Sequence, residues 1–423
     1  MCRKKCLIFG PTRLQQIAKK KEKSKMRKTP KPVVEKVAII GAGLGGLATA
    51  IALRKQGIDA HVYEKAREFS PVGAGLGLLP NGLRCLDGIK PGIVNTLKSA
   101  GCQVKKLTFK TSTGETIMIS ENTMMPKYGQ PLLTIWWWRL QQILASYLPS
   151  EVIHLNYRCI GFEQNETTVI THFENGKTAQ ADLLIGADGV KSTVRHILIG
   201  DGEPRYIGSM SWRAVVEHKD KLLQPDEVIL MKGEKSIVYL LNCGEGNMNW
   251  LARKLLPDSS LSLSAAEAKS RVIKEFANWI EPIRELIEGT DAKRILEGQI
   301  CDRLPLKKWS YGRVTLLGDA AHPMAPSAGQ GANTTFEDAY EISECLGNSS
   351  DLKTALTNYD NRRIQRTAII QSHSAEGEKR YYEPIQPTNQ QSQQEREEFQ
   401  NWVYDYNPSS KSRLKPWKET LAV

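Results

Sequence analysis

Apolar positions along the chain follow two rhythms, and the switches between them mark its elements. Residues 37–40, Val-Ala-Ile-Ile, form a short β-branched run that reads as a buried strand. Leu44, Leu47, Ala48, Ile51 and Leu53 then recur at helical spacing until Gly57 ends the helix. Residues 60–64 read as a second strand, so the first seventy residues hold a complete strand, glycine turn, helix and strand unit. Residues 105–110 and 116–120 read as paired strands, with Thr113 and Gly114 as the hairpin signal. The pattern predicts a helix over 140–148, strands near 152–155 and 168–173, and a buried strand over 182–185. Alternating strands from about 204 lead into a helix over 264–288. Residues 314–317 form a further buried strand, and a helix begins near Asn333. Residues 384–398, rich in Gln, Pro and Glu, read as a mobile linker ahead of an aromatic tail over 402–406.

Composition changes this picture little. The chain has 423 residues, 40% hydrophobic and 25% charged, which is ordinary for a globular α/β protein. Its longest apolar runs are strand-length, well short of the roughly 18 residues a membrane span needs. The net charge of +12 suggests a nucleic-acid partner until it is located. Residues 1–36 carry 13 Lys or Arg against two acids, and the rest of the chain is nearly neutral with 45 basic and 44 acidic residues. The charge therefore belongs to a tail, expected to be solvated and disordered, with a weak hold on an anionic membrane surface as a lesser reading. No nucleic-acid partner is implied. The tail lacks the apolar stretch of a secretory signal, and Met26 offers an alternative start. Eight scattered Cys contain no C-x-x-C, so no zinc framework and no metal site is expected, and a reducing, cytoplasmic setting follows.

Three motifs carry chemistry. In the first, Gly41 permits a tight turn out of the strand, Gly43 lets a pyrophosphate approach the backbone, and Gly46 lets the helix pack on the strand. The helix N-terminus offers free N–H groups to phosphates. Glu64, with Lys65 beside it, ends the second strand where an acid accepts from an adenosine ribose. In the second motif a buried strand delivers Asp188 and Gly189 to a turn, with Ser192 placed to cap a helix that holds Arg195. In the third, another buried strand ends in Gly318 and Asp319. Asp319 is placed to bind a polyol hydroxyl. His322, Pro323 and Pro326 follow, then Gly329, Gln330, Gly331, Ala332 and Asn333 open a helix. A helix N-terminus there stabilises negative charge on an electron-rich ring. His322 reads either as a proton carrier or as a structural residue of the loop. Trp136, Trp137 and Trp138 read either as packing or as a substrate wall.

Together these motifs resemble the single-component, group A FAD-dependent aromatic monooxygenases with the para-hydroxybenzoate hydroxylase fold, which include salicylate hydroxylase-like enzymes, urate hydroxylases and zeaxanthin epoxidases. The resemblance spans roughly residues 36–375. It takes in the run from Gly73 to Asn81, the Trp212 and Arg213 pair, and Tyr359, Arg363 and Arg366. It implies an FAD-binding Rossmann-like three-layer domain (36–105, 130–203 and 297–345) with an interleaved mixed-sheet substrate domain (106–129 and 204–296). A basic tail (1–35), a C-terminal helical segment (346–383) and a linker with aromatic tail (384–423) complete the chain. Gly41, Gly43, Gly46, Glu64, Lys65, Asp188, Gly189, Asp319, Gly329, Gly331, Ala332 and Asn333 would bind FAD, with His322 and Pro323 at the catalytic loop. Trp137 stands where the family usually has an Arg, and Arg139 is the substitute. The implied activity is NADH- or NADPH-driven insertion of one atom of O2 into an aromatic or other unsaturated compound, through a flavin hydroperoxide. An alkene epoxidase, a flavin reductase and a non-catalytic binding protein are the alternatives. Trp212, Met231, Tyr239 and Trp250 are expected to line an apolar pocket.

Overall fold

The computed structural model describes residues 32–71, 73–218, 222–258, 260–383, 390–410 and 415–418. The basic tail falls almost wholly outside the described residues.

Five parallel strands form the first sheet, in the order Val314–Leu316, Leu183–Gly186, Lys36–Ile40, Asp59–Glu64 and Ile153–Leu155. Residues 37–40, 183–186 and 314–316 are buried throughout, which is why these strands read as continuous apolar runs. The helices Leu44–Lys55 and Gly331–Asn348 cover this sheet close together. A Cβ on Gly45 would stand 2.5 Å from the Thr335 Cγ2 and 2.8 Å from Leu317 Cδ2, so a glycine is needed for that approach.

The second sheet has seven strands, ordered Leu296–Asp302, Arg205–Glu217, Asn247–Leu255, Ser236–Gly244, Glu227–Gly233, Lys106–Thr111 and Thr116–Glu121. All its pairs are antiparallel except that between Glu227–Gly233 and Lys106–Thr111. One face packs Met210, Trp212, Ala214, Met231, Leu240 and Trp250 against Val272, Phe276, Ile283 and Leu286 of two helices. Those helices, Ala265–Glu275 and Glu281–Glu288, replace the single helix expected over 264–288; Pro282 sits in the first turn of the second.

The chain's last described part departs most from expectation. Residues 390–404, expected as linker and aromatic tail, form a helix, Gln390–Tyr404. Its Gln and Glu residues are good helix formers. Its tertiary anchors are invisible in a local window: His373 stacks on Phe399 at 3.7 Å, Tyr128 donates to Asn401 Oδ1, and Arg366 donates to the carbonyls of Trp402 and Val403.

Candidate active site

Because the strands Val314–Leu316, Leu183–Gly186 and Lys36–Ile40 are adjacent and parallel, their carboxyl ends open on one edge of the sheet. Ala187 N donates to Ile40 O at 2.8 Å, and Leu317 N to Gly186 O at 2.9 Å, so the three motifs meet there. This edge is where open α/β sheets bind ligands.

At the first strand end the glycines divide their work. Gly41 has φ +105°, and a Cβ there would lie 2.5 Å from Ala187 O. A Cβ on Gly46 would meet Gly41 O at 1.9 Å. Both are buried. Gly43 alone is accessible and has nothing within 4 Å of a Cβ position, so its open side is free for a phosphate. The helix Leu44–Lys55 starts there with no side-chain cap. Glu64 accepts from Ala42 N at 2.8 Å and Ala66 N at 2.9 Å, which aims its carboxylate and leaves lone pairs on both oxygens. Lys65 is exposed beside it. Gln141, which sequence reasoning missed, donates to Ala42 O at 2.7 Å and braces the turn.

At the second strand end Asp188 faces its own chain. It accepts from Ser192 Oγ at 2.5 Å, Thr193 N at 2.7 Å and Val194 N at 3.2 Å, capping the helix Thr193–Ile199 together with Ser192. Burial raises its pKa against these bonds. Gly189, at φ +84°, has open space around it.

At the third strand end Asp319 is exposed and makes no hydrogen bond to another described residue. It nevertheless lies deep in the protein mass. That setting pushes its pKa up, with Asp338 adding to the rise and His322 opposing it. An exposed carboxylate at a strand end, with no protein donor, fits a polyol chain whose hydroxyls would donate to it. Gly329 is exposed, Gly331 and Ala332 are half-buried, and the helix Gly331–Asn348 begins without a side-chain cap. The residues present fit FAD: Gly43 would face the phosphates, Asp319 the ribityl hydroxyls, and the 329–332 turn the ring edge.

Four expected site residues are placed otherwise. His322 is 1% exposed, with Nε2 2.6 Å from Asp338 Oδ2. Pro323 is buried, and its carbonyl accepts from Gln371. Asn333 is fully buried; it accepts from Leu79 N and donates to the carbonyls of Gly77 and Gly329. Each of the three is thereby tied into the surrounding fold. Arg139 pairs with Glu245 on a hairpin of the second sheet (Nε···Oε1 3.0 Å), so its guanidinium is engaged by a charge the local pattern does not reveal. Trp137 packs against the core, where a Cβ on Gly73 would stand 3.1 Å from its own Cβ.

Behind the crevice lies a buried ionic network. Arg363 donates to Asp338 Oδ1 and Glu337 Oε2, both at 2.7 Å, and Arg366 donates to both Glu337 oxygens at 2.7 and 2.8 Å. Burial works against both acids, yet these arginines, with His322 beside Asp338, hold their pKa values below the ordinary range. Arg363 and Arg366 thus fix the helix that carries the 329–333 turn.

The second sheet turns its inner face toward this edge. Gly75 N donates to Asn249 Oδ1 at 2.9 Å across the junction. Strand register puts Leu230, Tyr239, Leu251 and Arg213 in one row on that face. Trp212, Met231 and Trp250 lie on the opposite face, in the core, so of the four expected pocket residues only Tyr239 points the right way. The alternation was legible, but not which face met the helices. Arg213 is half-buried, touches Ser211 Oγ at 3.2 Å, and has no acidic partner among the described residues. Burial and the charge of Arg253 push its pKa down.

A glycine turn open to phosphate, an exposed carboxylate two strands away at the same sheet edge and a second sheet beside them fit an FAD-dependent oxidoreductase. The chain belongs to the group A FAD-dependent monooxygenases: the family described as "FAD binding domain" matches residues 35–372. It is similar to the aurachin C monooxygenase/isomerase of Stigmatella aurantiaca, 32% identical over 78% of this chain and 85% of that one. The FAD-dependent urate hydroxylase of Klebsiella pneumoniae is 30% identical over 78% of this chain and 86% of its own. The crystal structure of Klebsiella pneumoniae HpxO with FAD and uric acid superposes with a TM-score of 0.77 at 26% identity, covering 88% of this chain and 92% of that one. The cofactor is FAD. Among the described residues no helix is long and apolar enough to cross a membrane.

Proposed function

We propose that this monooxygenase takes electrons from NADH or NADPH and oxygenates a small aromatic or other unsaturated compound lying between the 329–332 turn and the inner face of the second sheet. The observation that carries this reading is Arg213, a cation without an acid partner, set in a row with Leu230, Tyr239 and Leu251. Such a row suits a flat apolar substrate with one anionic or electron-rich oxygen. When bound, FAD supplies the redox chemistry that activates dioxygen. The protein's part is positional. Gly43 and the Leu44–Lys55 helix hold phosphates, Asp319 holds a polyol chain, and the Gly331 helix end faces developing negative charge. Arg213 orients the substrate, and the apolar row excludes water. The reading includes a reducing, cytoplasmic setting, and the described cysteines form no disulfide with one another.

The test is a screen of FAD-loaded protein with aromatic acids, phenols, purines and isoprenoid alkenes. NAD(P)H oxidation, oxygen uptake and product mass are read together. A compound that accelerates all three and gains one oxygen atom supports the reading. Saturation of a double bond without oxygen uptake would make the enzyme a flavin reductase and sink it.

A further inference from the structure

The helix Leu352–Tyr382 runs from the ionic network across to the second sheet, and its last three turns do something the network does not. Positions 371, 374, 377, 378, 381 and 382 share a face at helical spacing. Gln371 Nε2 donates to Pro323 O and Arg303 O, each at 3.1 Å. Ser374 O accepts from Ser327 Oγ at 2.6 Å. Tyr381 donates to Ser327 O at 3.1 Å and accepts from Tyr239 OH at 2.7 Å. A Cβ on Gly377 would meet Ser327 Oγ at 2.6 Å and Ser327 Cβ at 3.2 Å, so a larger residue at 377 would push Ser327 from its present place. The same turns bind the sheet: Glu378 pairs with Arg253 at 3.1 Å, and Tyr382 bonds to Glu378 and Ser209. Loop and helix together border a cavity of about 690 Å³, with Ser327, Ala328 and Gln330 on the loop side and His373, Glu376 and Gly377 on the helix side.

We propose that Tyr381 is a positioning residue, and that with Gly377 it registers the 323–331 loop against the substrate sheet, setting where the N–H groups of the Gly331 helix end stand relative to the flavin. The argument is geometric. Tyr381 is a phenol whose oxygen joins a sheet hydroxyl to a loop carbonyl, and Ser327 is held through both its side chain and its backbone. This rests on the reading that the loop lies against the flavin ring.

The test compares Tyr381→Phe and Gly377→Ala with Tyr382→Phe, which loses contacts to the sheet but none to the loop. Each is measured for FAD affinity, flavin absorption spectrum, midpoint potential and melting of the apoprotein. Tyr381→Phe and Gly377→Ala should weaken FAD binding about three- to tenfold, the scale of one hydrogen bond. They should also shift the flavin bands and make the potential more negative. Adding Ser327→Ala to Gly377→Ala removes the clashing Oγ but also its bond to Ser374 O, so the bands should return only part of the way toward wild type. Tyr382→Phe should leave the bands in place. The proposal is overturned if the apoproteins melt normally and the bands and affinity of Tyr381→Phe match wild type. It is equally overturned if Tyr382→Phe shifts the bands as far. Should Gly377→Ala not fold, Tyr381→Phe, which adds no atom, decides alone. Wild-type protein that binds no FAD would overturn the flavin reading itself; bound FAD with unmoved variants overturns only the role of Tyr381.

Discussion

Two polar regions lie back to back in this molecule and obey opposite rules. In the network of Glu337, Asp338, Arg363 and Arg366, the carboxylates and guanidinia find partners inside the protein. In the crevice at the strand ends, Asp319 finds none, and two helices begin uncapped. Buried polar groups are normally satisfied. The satisfied cluster is therefore architecture, whereas the exposed Asp319 carboxylate, with no protein donor, is free to take a ligand. His322 shows how narrow the boundary is. It lies three residues from Asp319 in sequence, yet its Nε2 belongs to the network.

The strongest break in this contrast is Arg363→Met. It would take one of the two cations away from each of two buried carboxylates, leaving Glu337 with Arg366 and Asp338 with His322, a loss of about 3–5 kcal/mol. Urea denaturation should show a large fall in midpoint, or the protein should not be recovered soluble. A midpoint equal to wild type would mean the network holds nothing.

Acid probes the same network without mutation. Glu337 and Asp338 have pKa values held below the ordinary 4.5 and 3.8, so they bind fewer protons folded than unfolded. The stability they contribute is complete above those ordinary values and is lost as pH falls through the depressed ones. A melting series from pH 7 to pH 3 should drop steeply only in its acid part, and Glu337→Gln should flatten that drop.

In the crevice, Asp319→Ala should act the other way. Losing a charged hydrogen-bond acceptor costs roughly 1.5–3 kcal/mol of binding, or about ten- to a hundredfold in FAD affinity. Folding should not suffer. A carboxylate whose pKa is raised on folding opposes stability as pH rises through that value, so the apoprotein should melt at the same temperature or slightly higher near neutral pH. Full flavin occupancy in the purified variant would remove Asp319 from the site.

Arg213→Gln sharpens the comparison at the substrate sheet. Flavin content should be unchanged while KM rises about tenfold, the scale of one charge-assisted hydrogen bond. A fall in flavin content instead would place Arg213 with the cofactor.

The smallest effect is expected from Arg139→Ala. Its pair with Glu245 is more than a third exposed on both sides, and such pairs contribute under about 1 kcal/mol. FAD affinity should stay within twofold of wild type. A large loss would restore Arg139 to the cofactor site.

The amino-acid order alone determined the local units: a strand into Gly41, Gly43 and Gly46, a strand into Asp188, and a strand into Asp319. Strand period, glycine turn and helix start are all set by neighbours within a few residues. Those units were enough to indicate FAD and the monooxygenase family. Only the tertiary structure decided which polar groups remained free. Asp319 and Asn333 look alike as polar residues of one motif, yet Asn333 is consumed by Leu79 and Gly77 from a distant segment and by Gly329 four residues back. Period-two alternation separated Trp212 from Arg213, but the helices packed on one face chose which of them met the crevice. Residues 390–404 became a helix through His373, Arg366 and Tyr128. Conformation over a few residues is a local energy, whereas burial and hydrogen-bond satisfaction depend on partners hundreds of positions away.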